Sequence, residues 1–349
     1  MNNQSAASAG RGSDYAELSR LVRAAGLLDR RPGYYAVRIA VNLALFVAGW
    51  TVFVVLGSSW WQLVVAAFLA IMFVQFGFLG HDAGHRQVFR SRRHNDLLGL
   101  VCANPLIGLS YSWWIDKHNR HHANPNQVDR DPDITAGGVV FTKAQARDRR
   151  NSIGRWVARH QAALFFPMLL AEGIALRLAS VKALLARPFD RTLRVESVLF
   201  GAHIVGYLAA VFLVLPLGQA VAFIAVQQGL FGVYLGCSFA PAHKGMLLLG
   251  PGEKLDFLRR QVLTSRNIRG GRWVDVAMGG LNYQIEHHLF PSMPSCTLGR
   301  AQPLVREFCL QHDLPYEETT LAHSYVLVLR YLHDVGASAD RVEHAGTLH

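Results

Sequence analysis

The feature that most constrains the fold is a set of long apolar runs without charged residues. Residues 39–56 and 60–80 form two such runs, separated only by residues 57–59. Each has about 20 residues, enough for a helix to cross a hydrocarbon layer about 30 Å thick. Residues 195–243 contain no lysine or arginine and are broken by Pro-Leu-Gly at 216–218. The pattern predicts four transmembrane helices in two hairpins, over about residues 39–56, 60–80, 196–216 and 220–240.

The distribution of charge predicts how these helices are oriented. The chain is 51% hydrophobic and 17% charged, with a formal net charge of +11. The short connections near Ser58 and Gly218 contain no lysine or arginine, so the positive-inside rule places both termini in the cytosol. In a bacterium the membrane would be the plasma membrane. Because the positive charge follows topology and is not gathered in one patch, nucleic-acid binding is not expected.

Histidines are clustered at three places in the chain. His118, His121 and His122 stand at i, i+3 and i+4, positions that lie on one face of a helix. Related spacing recurs in two sets, which are His81 with His85, and Gln284 with His287 and His288. Imidazole is the commonest protein ligand of transition metals, and seven imidazoles exceed one coordination sphere. The clusters therefore predict a site for two metal ions.

The clusters also constrain the apolar segment at residues 97–115. If this segment crossed the membrane, His118 would lie on the opposite face from His81. Asn104-Pro105 and Gly108 interrupt the segment and allow it to enter the membrane and return on the same side. The predicted fold is an all-α integral membrane protein whose cytosolic helical cap holds a histidine-rich di-metal site.

The predicted chain has three parts. Residues 1–34 form an N-terminal tail and an amphipathic helix, 35–315 the membrane domain, and 316–349 a C-terminal helix and tail.

Ligand type alone does not select the metal. Imidazole suits iron, zinc and copper, and a two-metal site serves hydrolysis or oxygen chemistry. The four cysteines form no C-x-x-C pair, which disfavours structural zinc. Three carboxylates near the clusters are candidates for orienting the imidazoles, namely Asp82, Asp116 and Glu286.

Three motifs, HDAGH at 81–85, HNRHH at 118–122 and QIEHH at 284–288, resemble the histidine boxes of the integral-membrane fatty acid desaturases. The resemblance covers about residues 35–315. It implies two non-haem iron ions that use dioxygen (O2) and two electrons to remove two hydrogens from an acyl chain. The implied substrate is a long-chain acyl-CoA or a membrane acyl-lipid.

The family pattern also implies how the ligands are divided. One iron would take His81, His85, His122 and His288. The other would take His118, His121, His243 and His287, with Gln284 as a further ligand. Glutamine at this position is typical of front-end desaturases and also occurs in some bacterial acyl-CoA desaturases, so the position of the double bond stays open.

Two further expectations concern partners and substrate. About 34 residues precede the first predicted span, without the His-Pro-Gly-Gly of a fused cytochrome b5 domain. The expected electron donor is therefore a separate ferredoxin, cytochrome b5 or flavin reductase. The residues expected to line a substrate channel are Trp113, Trp114, Asn282 and Tyr283.

Two other functions use the same residues. A hydroxylase or ketolase would share the histidine boxes, because the boxes fix the oxidant and not the fate of the substrate. A metal transporter or sensor would place ligands along a path inside the bilayer, where only His203 lies. The clusters at the ends of the predicted spans favour an enzyme.

Overall fold

The computed structural model describes residues 13–188 and 190–340, and this part of the chain is almost entirely helical. The first half contains α1 (Asp14–Ala24), α2 (Pro32–Leu56), α3 (Gln62–Gly84), α4 (Arg92–Val101), a π-helical segment (Cys102–Ile107), α5 (Tyr111–Ala123), a 3-10 turn (Pro132–Ile134), α6 (Lys143–Arg147), α7 (Ser152–Leu169) and α8 (Glu172–Ala186). The second half contains α9 (Arg191–Val214), α10 (Leu217–His243), α11 (Phe257–Leu263), β1 (Asn267–Arg269), α12 (Arg272–Ala277), α13 (Gln284–Leu289), α14 (Ser295–Gln311), β2 (Glu318–Thr320), α15 (Leu321–Gly336) and a 3-10 turn (Ala337–Asp340).

Four described helices, α2, α3, α9 and α10, are long and apolar enough to cross a membrane. They form two hairpins, α2 with α3 and α9 with α10, which confirms the predicted fold class of an integral membrane protein. The helices extend beyond the predicted spans. Because α3 continues to Gly84 and α10 to His243, α3 carries His81 in its last turn and α10 ends at His243.

The two helices of each hairpin have different surroundings. In the apolar stretch of α3, 61% of the residues are buried, against 17% in α2 and 11% in α9. Val55 on α2 and Leu213 on α9 are more than four-fifths exposed. An apolar helix with an exposed apolar surface is suited to lipid contact. The helices α3 and α10 therefore form the centre of the bundle, and α2 and α9 its lipid-facing side.

The segment between α4 and α5 reverses the direction of the chain. The axes of the two arms meet at 115°, and Gly108 adopts a left-handed conformation with φ of 71° at the turn. Nδ1 of His203 donates a hydrogen bond to the carbonyl of Pro105 at 2.9 Å. This reversal returns α5 toward the end of α3, as required to bring the first two histidine clusters together.

A buried carboxylate fixes the start of α5. Glu196 on α9 is 1% exposed and accepts hydrogen bonds from Ser110 Oγ at 2.7 Å and from the backbone N–H of Ser112 at 3.1 Å. A carboxylate at a helix N-terminus also interacts favourably with the helix dipole. Glu196 therefore ties the histidine-bearing helix to the second hairpin.

A second sharp bend, of 84°, joins α7 to α8. The residues at this bend pack closely against α10. A Cβ added at Gly232 would lie 2.3 Å from the carbonyl oxygen of Leu169. Glycine at 232 therefore allows the two backbones to meet.

The C-terminal region differs from the all-α prediction in one respect. The strands β1 and β2 pair in parallel, with Ile268 opposite Thr319. β1 also packs against α13, the helix that carries the third histidine motif.

The described part of the predicted C-terminal segment, which covers residues 316–349, packs against the membrane domain. Helix α15 packs on α7 and α10, and the Tyr325 hydroxyl donates to the carbonyl of Cys237 at 2.7 Å. Residues 1–12 and 341–349, which include most of the predicted tails, lie outside the described residues. The division at residues 34 and 315 stays a prediction.

Candidate metal centre and its cavity

Four helices bring the clustered histidines to one place. The C-terminal end of α3 carries His81 and His85, and the last residue of α10 is His243. The second cluster lies on α5, and the third lies on the short helix α13. All of these side chains are buried or half-buried, although imidazole is polar. Buried polar groups normally have a partner, which makes their arrangement informative.

Five histidines form the first group, with one ring nitrogen of each within 4.8 Å of the others. Its members are His81, His85, His118, His122 and His287. The Nε2 atoms of His85 and His118 are 2.8 Å apart, and those of His118 and His122 are 3.1 Å apart. The Nε2 atom of His287 lies 3.2 Å from that of His122. The nitrogens converge on a common centre.

Three histidines form the second group, which consists of His121, His243 and His288. The Nε2 atoms of His121 and His243 are 3.3 Å apart. The side-chain amide of Gln284 lies 2.9 Å from Nε2 of His243, at the edge of this group. Three imidazoles and an adjacent amide leave room for water or a reactant at a metal ion.

The donor set fits metal ions. Nε2 of His81 and Nε2 of His288 are buried without a hydrogen-bond partner among residues 13–188 and 190–340. Burial, together with neighbouring imidazoles, holds the pKa of His118, His122, His287 and His288 well below the usual range. These rings are therefore neutral at physiological pH, the form in which imidazole binds a metal.

The grouping differs from the division expected from the family resemblance. His118 and His287 lie with His81 in the first group, and His288 lies with His121 in the second. On a helix, positions i and i+4 differ by about 40° in direction, whereas neighbouring positions differ by about 100°. His118 and His122 therefore converge, while His121 points away from His122 and His287 away from His288.

Hydrogen bonds orient three rings of the second group. Nδ1 of His121 donates to Asp131 at 3.0 Å, Nδ1 of His288 to Gln261 Oε1 at 2.9 Å, and Nδ1 of His243 to the carbonyl of Thr264 at 2.9 Å. Each bond fixes the ring and directs Nε2 into the group. These partners were not predicted from the sequence, although Asp131 lies nine residues after the HNRHH motif, in a run with Asp129 and Asp133.

The three carboxylates expected to orient the imidazoles form their shortest contacts with other side chains. Asp82 accepts from Arg38 at 2.7 Å, and its Oδ1 lies 3.5 Å from Nδ1 of His81. Asp116 is exposed and pairs with Arg120 one turn along α5. Glu286 is buried and accepts hydrogen bonds at 2.7 Å from the side chains of Asn267 and Tyr316. Burial raises the pKa of Glu286 to about 7.

A cavity of about 450 Å³ opens beside the metal centre. His81, His118 and His121 form part of its wall, and the remaining wall is mostly apolar. Trp113 and Trp114 line the cavity, and Trp114 stacks on His118 with ring centroids 4.6 Å apart.

Asn282 and Tyr283 are not part of the described cavity wall. They lie in the turn before α13, which faces β1 and α14. Asn282 donates to Asp275 at 2.8 Å, and the Tyr283 ring packs against Gly299.

Comparison with known proteins identifies the family. A fatty acid desaturase family model matches residues 58–320. The chain is 33% identical over 345 residues to an acyl-lipid (9-3)-desaturase of Physcomitrium patens, covering 96% of the chain and 64% of that protein's length. It is 30% identical over 318 residues to the Delta(5) fatty acid desaturase fat-4 of Caenorhabditis elegans, covering 86% of the chain and 69% of the relative.

A third relative, fatty acid desaturase 3 of Bos taurus, is 28% identical over 332 residues, which are 93% of the chain and 73% of that protein. The chain thus spans about two thirds to three quarters of the length of these three relatives. The matching region contains all three histidine motifs and His243. The chain therefore belongs to the fatty acid desaturase family, a family of membrane oxidoreductases that use dioxygen.

Proposed function

We propose that this chain is an oxygen-dependent fatty acyl desaturase with two iron ions, which introduces a double bond into a long-chain acyl-lipid or acyl-CoA. One observation carries the proposal. Two groups of convergent imidazoles lie beside a mostly apolar cavity of about 450 Å³, with His81 and His118 of the first group and His121 and His243 of the second in its wall. A metal pair and a long apolar substrate would meet in this place.

The chemistry explains why a metal is needed. A methylene C–H bond in an acyl chain has no acidic proton, so acid–base catalysis by side chains cannot break it. Bound iron would supply the oxidant, while the protein positions the chain. The first group would hold one ion with five imidazoles, and the second would hold the other with three imidazoles and Gln284 nearby.

The walls of the cavity would position the substrate. Leu235 and Phe239 on α10 and the two tryptophans of α5, Trp113 and Trp114, line the cavity and give it apolar surface beside the histidines. Such surface binds methylene groups and keeps water away from the reacting carbon. The protein therefore contributes orientation and exclusion of water.

Polar residues at the histidine end would receive the head of the substrate. Lys117, Asp133 and Lys244 line this part of the cavity, and Lys117 forms an ion pair with Asp133. With the polar end of the substrate here, the metal centre would lie close to the carbonyl end of the acyl chain. The Delta(5) and Delta(8) names of relatives and Gln284 support this front-end position.

We further propose that a separate electron-transfer protein, such as a ferredoxin, a cytochrome b5 or a flavin reductase, reduces the centre. Four exposed arginines follow the first histidine motif, at positions Arg86, Arg90, Arg92 and Arg93. A basic surface next to His85 suits an acidic redox protein. By the positive-inside rule this surface, and the metal centre with it, would face the cytosol.

Expression in a host that lacks its own desaturase tests the function. Lipid profiling by mass spectrometry should show an acyl species that has lost two hydrogens, and the His121→Ala variant should not produce it. An acyl species that has gained one oxygen would indicate a hydroxylase instead. No new species from protein that has bound iron, with donor and oxygen supplied, would contradict the proposal.

A further inference from the structure

The cavity follows one face of α10 away from the metal centre. Phe231, Leu235, Phe239 and His243 on this helix all line it. Twelve residues separate Phe231 from His243, which corresponds to about 18 Å of helix at 1.5 Å per residue. Phe231 therefore marks the end of the cavity that is farthest along α10 from the histidines.

A half-buried arginine connects the elements at this far end. Arg177 on α8 donates to the carbonyl of Ile107 at 2.8 Å and to that of Gly173 at 3.1 Å. Its guanidinium also lies 5.5 Å from the centre of the Phe231 ring, within the range of a cation–π interaction. Ile107 and Phe231 both line the cavity, as does Leu176, the neighbour of Arg177. Arg177 thus contacts the three elements that line this end of the cavity, which are the segment ending at Ile107, α8 and α10.

The Phe231 ring has little freedom to move aside. It packs against Gly173, where an added Cβ would lie 2.9 Å from the ring. Phe231 is 0% exposed and also contacts Phe73, with ring centroids 5.9 Å apart. A ring held by a backbone, a cation and a second ring forms a rigid end to the cavity.

We propose that Phe231, with Ile107 and Leu176, receives the methyl end of the acyl chain and sets the longest chain the enzyme accepts. The inference rests on the proposed function, because it gives the cavity an acyl occupant. Phe231 is then a specificity-determining residue, and Arg177 is the positioning residue that keeps it in place.

The length of the cavity gives an approximate limit. An extended chain advances about 1.2 Å per backbone bond, so 18 Å of α10 corresponds to about 15 carbons between the metal centre and the methyl end. Each methylene beyond a closed pocket end typically costs about tenfold or more in specificity. The accepted substrates should therefore show a sharp upper limit of length.

The test compares Phe231→Ala with Phe223→Ala. Phe223 lies on the same helix and is also 0% exposed, but it packs against Phe53 and lines no part of the described cavity. Purified wild type and variants are heated with saturated free fatty acids whose length increases by two carbons, and the stabilisation of each protein is measured. The same strains are fed the same acids, and their unsaturated products are measured by mass spectrometry.

In Phe231→Ala, the longest acid that stabilises the protein should increase by about two to four carbons, the length of the lost ring at about 1.2 Å per bond. Leu176→Phe should reduce the length of the longest acid that stabilises the protein, and Phe223→Ala should not change that length. An unchanged limit in both Phe231→Ala and Leu176→Phe would overturn the inference. Stabilisation with the expected shift but without unsaturated products would contradict the proposed function and leave the length limit established.

Discussion

Asp131 accepts a hydrogen bond from Nδ1 of His121 at 3.0 Å, while Nε2 of the same ring lies 3.3 Å from Nε2 of His243. The carboxylate is buried, and it also accepts from the backbone N–H of Asn126 at 2.7 Å. The bond fixes which nitrogen of His121 carries the proton and leaves the other free for a metal ion. Asp131 thus orients the second histidine group from outside it.

Replacing Asp131 should therefore weaken metal binding in that group. The Asp131→Asn variant keeps the shape of the side chain but loses its charge, and we expect metal affinity to fall about 10–100-fold. Competition with a chelator, followed by metal analysis, measures this loss. Asp116→Asn is the matched control, because the Asp116 side chain is 72% exposed and pairs only with Arg120 among the partners described. Equal resistance of Asp131→Asn and wild type to the chelator would contradict this role.

The grouping of His118 can be tested with two double variants. His118 lies in the same group as His81 and in a different group from His121. We expect His81→Ala/His118→Ala to weaken metal binding at one site only, whereas His118→Ala/His121→Ala weakens it at both sites. Metal analysis of the purified proteins distinguishes the two. The reverse pattern would favour the division in which His118 and His121 share a metal ion.

The turn at Gly108 should tolerate no side chain. Its φ is 71°, and a Cβ would lie 2.3 Å from the His203 ring. The left-handed conformation alone costs about 1–2 kcal/mol for a residue with a Cβ, and displacement of His203 adds to this. We expect Gly108→Ala to lower the thermal unfolding temperature by several degrees.

Gly206→Ala is the control for this change. Gly206 lies within α9, and no atom outside its own helix turn stands within 4 Å of the place a Cβ would take. Alanine is favoured over glycine inside a helix by about 1 kcal/mol, so this variant should unfold at the same temperature as the wild type or higher. Similar unfolding temperatures for the two variants would show that the Gly108 turn is not strained.

The ion pair between Arg38 and Asp82 fixes the start of α2 against the end of α3. The two side chains are 12% and 2% exposed and their charged atoms are 2.7 Å apart. Removing one partner of a buried pair costs about 3–5 kcal/mol, because the other charge is left without compensation. Arg38→Met should therefore destabilise the protein strongly. Arg38→Met/Asp82→Asn should recover most of the loss in a thermal unfolding assay, and a double variant as unstable as the single one would refute this explanation.

The sequence predicted the membrane helices because their signal is local. Charge-free runs long enough to cross a bilayer leave little choice of structure, and α2, α3, α9 and α10 all appear where the runs lie. The reversal near Gly108 was also predictable, since a crossing would have separated His118 from His81. The ends of the helices were predicted less accurately than their positions, because α3 and α10 continue through polar residues as far as Gly84 and His243.

The details of the site depend on contacts that no local pattern contains. The spacing of HNRHH shows that three rings share a helix face, but their division depends on how α5 is rotated against α3 and α13. Asp131 reaches His121 only through the turn that follows α5. In the sequence, Arg177 is a single charge within an apolar segment. Its hydrogen bond to the carbonyl of Ile107 and its contact with the Phe231 ring depend on the packing of α8 against α10 and against the segment before Gly108.

Metal analysis of the purified wild-type protein tests whether the histidines hold two metal ions. Protein expressed with iron and purified without chelators should contain about two iron ions per chain, as the two donor groups require. The His121→Ala variant should retain about half of that amount. If correctly folded wild-type protein supplied with iron contained one ion or none, the assignment of two metal sites would be wrong.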